Sequence, residues 1–281
     1  MGRVTFWGMQ HGLGITSATA AVAAFLGSDY TVRTLVSQPQ WSDFTLEKCF
    51  GKAVSNYNKP FSDVSARGID ALERAARSNK LERDTIKNHA LPIERGRLDL
   101  LQATEKMDKL HFENAVDVIN IIFDKAEDYY EAILLDGHSG GNQAVTNRLM
   151  RDSDLIVVCL NQNVNVLNKY FDPSKEYWPK ALHHVPHILL LTQYDHDSKY
   201  KVKNIAAKYK YKGGIFPLSY NTDFRDHLND GDIRGFFARN KNVHKQHENY
   251  MFMKEIRQIA ECILDRIEVY AQSKQAERRA L

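Results

Sequence analysis

The sequence predicts an α/β fold built on a mainly parallel, doubly wound sheet of about seven strands, and three observations carry that prediction. The first forty residues read strand, glycine loop, helix, strand, which is the βαβ unit of a parallel sheet. Continuous apolar runs then recur between helical stretches, as expected where helices cover both faces of a sheet. With 281 residues, 43% of them hydrophobic and 26% charged, the chain also has enough apolar content for a sizeable core.

Taken in order, residues 4–7 (Val4-Thr5-Phe6-Trp7) form the first strand, residues 16–26 an Ala-rich helix and residues 32–36 the second strand. Residues 43–95 read as an elaborated crossover with a helical pattern over 68–77; Lys59-Pro60-Phe61-Ser62-Asp63 starts another helix by breaking the chain and offering a cap. Five more strands are predicted at 98–102, 132–135, 155–160, 187–192 and 215–218. The last long helix covers 250–271, because Ile256, Ile259, Ile263, Ile267 and Tyr270 recur at steps of three and four; 272–281 is a polar, frayed tail. All of this is read as one domain, 1–281.

Composition excludes several function classes. Thirty-eight Lys and Arg against 35 Asp and Glu leave +3, too balanced to point to a phosphate-backbone binder by itself. Cys49, Cys159 and Cys262 are far apart with no zinc or disulfide spacing, which suits a reducing cytoplasm. The N-terminus lacks a signal-type segment, and no apolar run reaches the ~18 residues of a membrane span, so a soluble cytoplasmic protein without an integral membrane segment is expected.

The chemistry concentrates in the loop after the first strand, Gly8-Met9-Gln10-His11-Gly12-Leu13-Gly14-Ile15-Thr16-Ser17. In a parallel α/β protein this loop lies at the carboxyl edge of the sheet, where backbone N–H groups and the positive end of the next helix hold an anion. Thr16 stands where a P-loop hydroxyl would bind magnesium, but Met9 and Ile15 stand where that loop needs Gly and Lys.

This loop, the helix Ser17-Ala18-Thr19-Ala20-Ala21-Val22-Ala23-Ala24-Phe25-Leu26 and the later Ala132-Ile133-Leu134-Leu135-Asp136-Gly137-His138-Ser139-Gly140 resemble the MinD/ParA group of deviant-Walker P-loop ATPases. Leu189-Leu190-Leu191-Thr192-Gln193-Tyr194-Asp195 is similar to the group's base-proximal strand end, and Gly214-Ile215-Phe216-Pro217-Leu218 to its last strand. The middle segment, 68–101, is most similar to ParA-like proteins of the TadZ kind, associated with Flp-type pilus assembly. The resemblance implies a three-layer P-loop NTPase-like sandwich. It places ATP against His11, Gly12, Leu13, Gly14, Ile15, Thr16, Ser17, Asp136, Gln193 and Pro217, with Mg at Thr16 and Asp136. It also implies a homodimer and a protein partner from a pilus, secretion or partition system.

Departures from the group's pattern weaken those implications. Ile15 replaces the lysine that neutralises the β and γ phosphates, Gln10 replaces the signature lysine, His11 replaces a glycine, and Ser37-Gln38-Pro39-Gln40 lacks the aspartates that place metal and attacking water. A protonated His11 supplies only part of the lost charge. Because phosphoryl transfer depends on positioning and charge stabilisation, the expectation is weak or absent ATP binding and no efficient hydrolysis, hence a scaffold or localisation protein. One alternative is a slow ATPase whose lost cations are replaced by Arg33 or outlying lysines. The other is a nucleoid-binding partition protein using Lys199, Lys201, Lys203, Lys208, Lys210 and Lys212, interleaved with Tyr200, Tyr209 and Tyr211; a solvated helix face has the same pattern.

Other features carry two readings. Asp136 is a metal-linked residue or a cap of the following turn. His11 and His138 fall on neighbouring loops as two imidazoles, one short of a zinc site, or as ordinary polar contacts. Trp7, Trp41 and Trp178 read as packing residues, with Trp41 also placed to line a dimer face.

Overall fold

The computed structural model describes residues 1–41, 45–55, 67–105, 109–141 and 143–269. Among them the chain builds strands β1 (Gly2–Trp7), β2 (Thr34–Ser37), β3 (Leu91–Glu94), β4 (Leu98–Leu101), β5 (Ala132–Asp136), β6 (Leu155–Leu160), β7 (His187–Tyr194) and β8 (Ile215–Ser219). They form one sheet in the order β3-β4-β2-β5-β1-β6-β7-β8, parallel throughout except for the β3–β4 pair. The helices are α1 (Ile15–Asp29), α2 (Thr45–Cys49), α3 (Gly51–Ser55), α4 (Gly68–Arg77), α5 (Arg83–His89), α6 (Lys109–Asn114), α7 (Val116–Ala126), α8 (Ala144–Arg151), α9 (Val164–Tyr170), α10 (Val202–Tyr209), α11 (Thr222–Asn229), α12 (Ile233–Asn240) and α13 (Tyr250–Arg266).

Alternation along the strands decides which residues meet which helices. In β5, Ile133 and Leu135 join the cluster that contains Ile69, Ile86, Ile122 and Phe123, while Ala132 and Leu134 join the opposite one with α1, α12 and α13. Both faces are therefore covered, giving three layers. Helix α1 lies deepest: Ala18, Ala20, Ala21 and Ala23 are fully buried, and their small side chains let it sit closely between the sheet and the helices α12 and α13. Arg3 ties β1 to α7, its 1% exposed guanidinium donating to Asn120 (3.0 Å), Asp124 (2.7 Å) and Glu127 (2.8 Å).

The expected strands all form, and the structure adds β3. Leu91-Pro92-Ile93-Glu94 is too short for its alternation to stand out, and Pro92 is tolerated because the strand is an edge. Gly96 (φ +74°) turns this antiparallel hairpin, so the end of the 43–95 stretch belongs to the sheet and not to a crossover. The last helix is shorter than the expected 250–271. It stops at Arg266, because Glu268 takes a left-handed conformation (φ +59°) and the Val269 N–H returns to the Leu264 carbonyl (2.9 Å), a C-terminal cap. Ile256, Ile259, Ile263 and Ile267 are buried as their spacing requires. The predicted helix start at Lys59–Asp63, Tyr270 and the tail 272–281 lie outside the described residues.

Candidate functional site

The carboxyl ends of β1, β2, β5, β7 and β8 converge on the loop between β1 and α1. Gly12 (φ +82°) and Gly14 (φ +66°) shape this loop in conformations that disfavour a side chain, and Gly14 leads directly into α1. Neighbouring strands hold it: the Trp7 indole N–H donates to the Gly140 carbonyl, the Gly140 N–H donates to the Gly8 carbonyl (each 2.9 Å), and the Thr192 hydroxyl reaches the Leu13 carbonyl (2.7 Å). Leu13 and Ile15 are buried beneath the loop. A Cβ on Gly8 would lie 2.9 Å from Ile15 Cδ1 and 3.2 Å from Leu13 Cδ1. Ile15 thus fills the core side of the loop where the resemblance calls for a cation.

On the β2–β5 side lies a small cavity of about 110 Å³, lined by His11, Ile15, Thr16, Gln38, Asp136 and His138 among others. Asp136, 2% exposed, accepts from the Gln38 side-chain amide at 2.7 Å and hydrogen-bonds the Thr16 hydroxyl. The same amide nitrogen lies 3.4 Å from Thr16 Oγ1, and Gln38 Oε1 accepts from the Leu46 N–H at the start of α2 (3.1 Å). Burial pushes the Asp136 carboxyl up to about 7, against the opposing pull of the Thr16 and Gln38 hydrogen bonds. Burial, and secondarily the Asp136 charge, also push the Cys49 thiol up to about 12 and raise that of Cys159.

The residues here do not fit a magnesium ion. Mg²⁺ demands an octahedron of oxygens at about 2.0–2.1 Å, whereas the side chain between Thr16 and Asp136 turns an N–H donor toward both. The orientation of that amide is fixed, because the Leu46 N–H can only donate and so claims the oxygen end.

On the β7–β8 side a larger cavity, about 430 Å³, is lined by Gly14, Ser17, Ala18, Gln193, Tyr220, Asn221 and Arg225 among others. Gln193 follows an irregularity in the β7–β8 register and takes a left-handed backbone (φ +51°), which carries its amide nitrogen to 3.8 Å from the position a Gly14 Cβ would occupy. Asn221 caps α11 through its side-chain oxygen (Phe224 N–H, 2.7 Å). Arg225 pairs with the Tyr220 hydroxyl (3.0 Å).

The sequence-predicted residues therefore divide between two cavities. His11, Ile15, Thr16 and Asp136 line the small one; Gly14, Ser17 and Gln193 line the larger. Gly12 forms the exposed tip of the loop, and the Leu13 side chain is in the core. Pro217 lies within β8 opposite Leu191, and neither cavity is lined by it. Gln10 lines a separate groove of about 880 Å³ with Met9, Arg148 and Trp178. Arg33 cannot stand in for a lost lysine: it precedes β2 at the end remote from Gln38, against Glu131 (3.4 Å) and the Tyr129 ring. His11 and His138 meet edge to face at 5.1 Å, His138 Nδ1 is engaged by the Ser139 carbonyl, and no group of three metal-ligating side chains exists among the described residues. The six lysines of 199–212 are exposed, but Tyr200, Tyr209 and Tyr211 turn toward the core, Tyr209 stacking on Phe171 at 4.3 Å. Sequence reasoning noted Gln38 only as a lost aspartate and passed over Tyr220 and Asn221; the N-cap pattern at Asn221 was the available signal.

No protein-family model matches this chain, and comparison with curated proteins finds no match. Solved structures do match over nearly the full length. The ParA family ATPase of Chlorobium tepidum has a TM-score of 0.67 at 13% identity, covering 92% of this chain and 98% of its own. MinD of Pyrococcus horikoshii, complexed with Mg-ADP, has 0.66 at 12% identity, covering 93% and 95%. The MinC:MinD complex of Aquifex aeolicus has 0.62 at 14% identity, covering 94% and 96%. The chain path is that of a P-loop NTPase. Within that class it is the ParA/MinD arrangement, as the motifs implied. Among the described residues no helix is long and apolar enough to cross a membrane.

Proposed function

We propose that this chain is a ParA/MinD-like positioning scaffold that keeps the shape of a nucleotide cradle and binds ATP weakly or not at all, without efficient hydrolysis. One observation supports this above others: Ile15 is buried beneath the loop, Gln10 lies in another groove, and among the described residues no lysine lines either cavity at the cradle. Charge-assisted contacts to phosphate contribute roughly 1.5–3 kcal/mol each, so losing two weakens affinity by orders of magnitude. Any remaining contact comes from the N-terminus of α1, the Ser17 hydroxyl and the amide of Gln193. Self-association at the carboxyl edge of the sheet would then be independent of nucleotide. The TadZ-like resemblance makes a pilus or secretion assembly in the cytoplasm the partner class; three cysteines that form no disulfide accord with that compartment.

Titration calorimetry with ATP, ADP and Mg²⁺, together with native mass measurement, tests the proposal. The expected result is millimolar or no nucleotide affinity and a mass unaffected by Mg-ATP. ATP turnover that Asp136→Ala abolishes, or dimerisation strictly dependent on ATP, would overturn it. A nucleoid-binding reading has one observation in its favour, the exposure of all six lysines of 199–212 with none in an ion pair among the described residues. Salt-sensitive DNA retention that disappears when those lysines are neutralised would establish it.

A further inference from the structure

In the fold this chain shares, a divalent cation at the end of the β1 loop would draw together the helix hydroxyl and the strand-end carboxylate. Here those groups are already drawn together. We propose that the Gln38 side-chain amide is a built-in replacement for that cation: it joins Thr16, Asp136 and the start of α2, so the loop is held in its phosphate-cradle shape with no metal, and Mg²⁺ is excluded from the Thr16–Asp136 position.

Four features carry this inference. Gln38 is 3% exposed, and each of its polar ends is engaged: the nitrogen at 2.7 Å from Asp136 Oδ2 and 3.4 Å from Thr16 Oγ1, the oxygen at 3.1 Å from the Leu46 N–H. Its direction is dictated by a backbone donor, so a simple flip cannot offer oxygen to a metal. Asp136 is a single carboxylate, and among the described residues no second acidic side chain lines the cavity. Finally, the bridge has a mechanical consequence. Through Leu46 it fastens α2 to the loop by neutral hydrogen bonds, which do not depend on metal concentration. A chain that had merely lost a metal-positioning aspartate would leave Asp136 open to water; here Gln38 covers it, and both side chains are buried.

The test contains no nucleotide, so its outcome is separate from the scaffold reading. Mn²⁺ is titrated into the full-length protein and the free ion followed by electron paramagnetic resonance. The wild type is expected to leave millimolar Mn²⁺ free, with no difference between it and Asp136→Asn. Gln38→Asp, which turns a carboxylate toward Asp136 and Thr16, is expected to gain at least about tenfold in Mn²⁺ affinity, a gain that Asp136→Asn in the same chain removes. Wild-type Mn²⁺ binding that Asp136→Asn abolishes would overturn the proposal. So would a folded Gln38→Asp protein that gains no affinity. Should that variant fail to fold, the wild-type and Asp136→Asn titrations decide the matter alone, supported by a wild-type melting temperature that Mg²⁺ leaves unchanged.

Discussion

The two sides of the cradle differ in a way that neither shows alone. The β2–β5 side is narrow: about 110 Å³ of space around a buried carboxylate whose partners are an amide and a hydroxyl. The β7–β8 side is roomier, about 430 Å³, with polar side chains at its rim and a left-handed Gln193 leaning over Gly14. In a phosphate-binding loop the first side is where charge gathers and the second is where the rest of a ligand lies. Here the side around Asp136 leaves little space, while the other side has about four times as much. The contrast is between a hydrogen-bonded polar cluster around Asp136 at one side and a larger cavity at the other.

The largest effect that could break this contrast is the titration of Asp136. Its carboxyl is raised from 3.8 to about 7, so the folded state holds the proton more tightly than the unfolded chain does. Its contribution to stability is therefore fully present below pH ~4 and is lost as pH rises through 7. Urea unfolding of the wild type and Asp136→Asn across that window should show the wild type falling behind by about 4 kcal/mol between pH 4 and pH 8. Parallel pH profiles for the two proteins would mean that the Asp136 carboxyl is better hydrated than its burial indicates. Next in size is Gln38→Ala, which leaves the ionised Asp136 without its amide donor and the Leu46 N–H without an acceptor. We expect a loss of about 3 kcal/mol at pH 8, shrinking to about 1 kcal/mol at pH 5, where the carboxyl is protonated. An equal loss at both pH values would show that Gln38 acts only by packing.

The same contrast explains what the sequence disclosed. The layers, the seven expected strands and the alanine-rich α1 follow from continuous apolar runs and a run of alanines, signals that depend only on neighbours in the chain. The β1 loop was legible for the same reason: its glycines are close together. Strand β3 was not, since four residues containing Pro92 give no period, and only pairing with β4 defines them. The role of Gln38 was also out of reach. In sequence it is a missing aspartate; its meaning comes from Asp136 and Thr16, 98 and 22 residues away. Pro217 illustrates the converse error, a residue placed at the site by motif position whose strand neighbour Leu218 lines the cavity instead.

Backbone geometry gives a finer test of how tightly the end of β5 is held against β1. A Cβ on Gly137 would lie 2.8 Å from the Phe6 carbonyl oxygen and 3.1 Å from Thr5 Cγ2, where β5 passes β1. Gly137→Ala should therefore cost about 2–3 kcal/mol by overpacking. At Gly12, φ is +82° but no atom lies within 4 Å of an added Cβ, so Gly12→Ala should cost only about 1 kcal/mol, from conformation alone. Chemical denaturation of both variants separates the two causes. Similar losses would mean that the two loops are not held together as the Gly137–Phe6 and Gly140–Gly8 bonds require.

The smallest effect belongs to the open side and has the opposite sign. Gln193 holds a left-handed backbone that only glycine adopts without strain, so Gln193→Gly should stabilise the fold by about 0.5–1 kcal/mol. The substitution also removes the amide that overhangs Gly14. If the strain is kept because that amide meets a ligand in the β7–β8 cavity, the more stable variant should bind adenine nucleotide less well than the wild type under conditions where the wild type binds at all. Thermal melting and calorimetry on the same pair of proteins read the two quantities independently. A gain in stability without any change in binding would assign the left-handed turn to the β7–β8 register irregularity in which it lies and give its amide no part in binding.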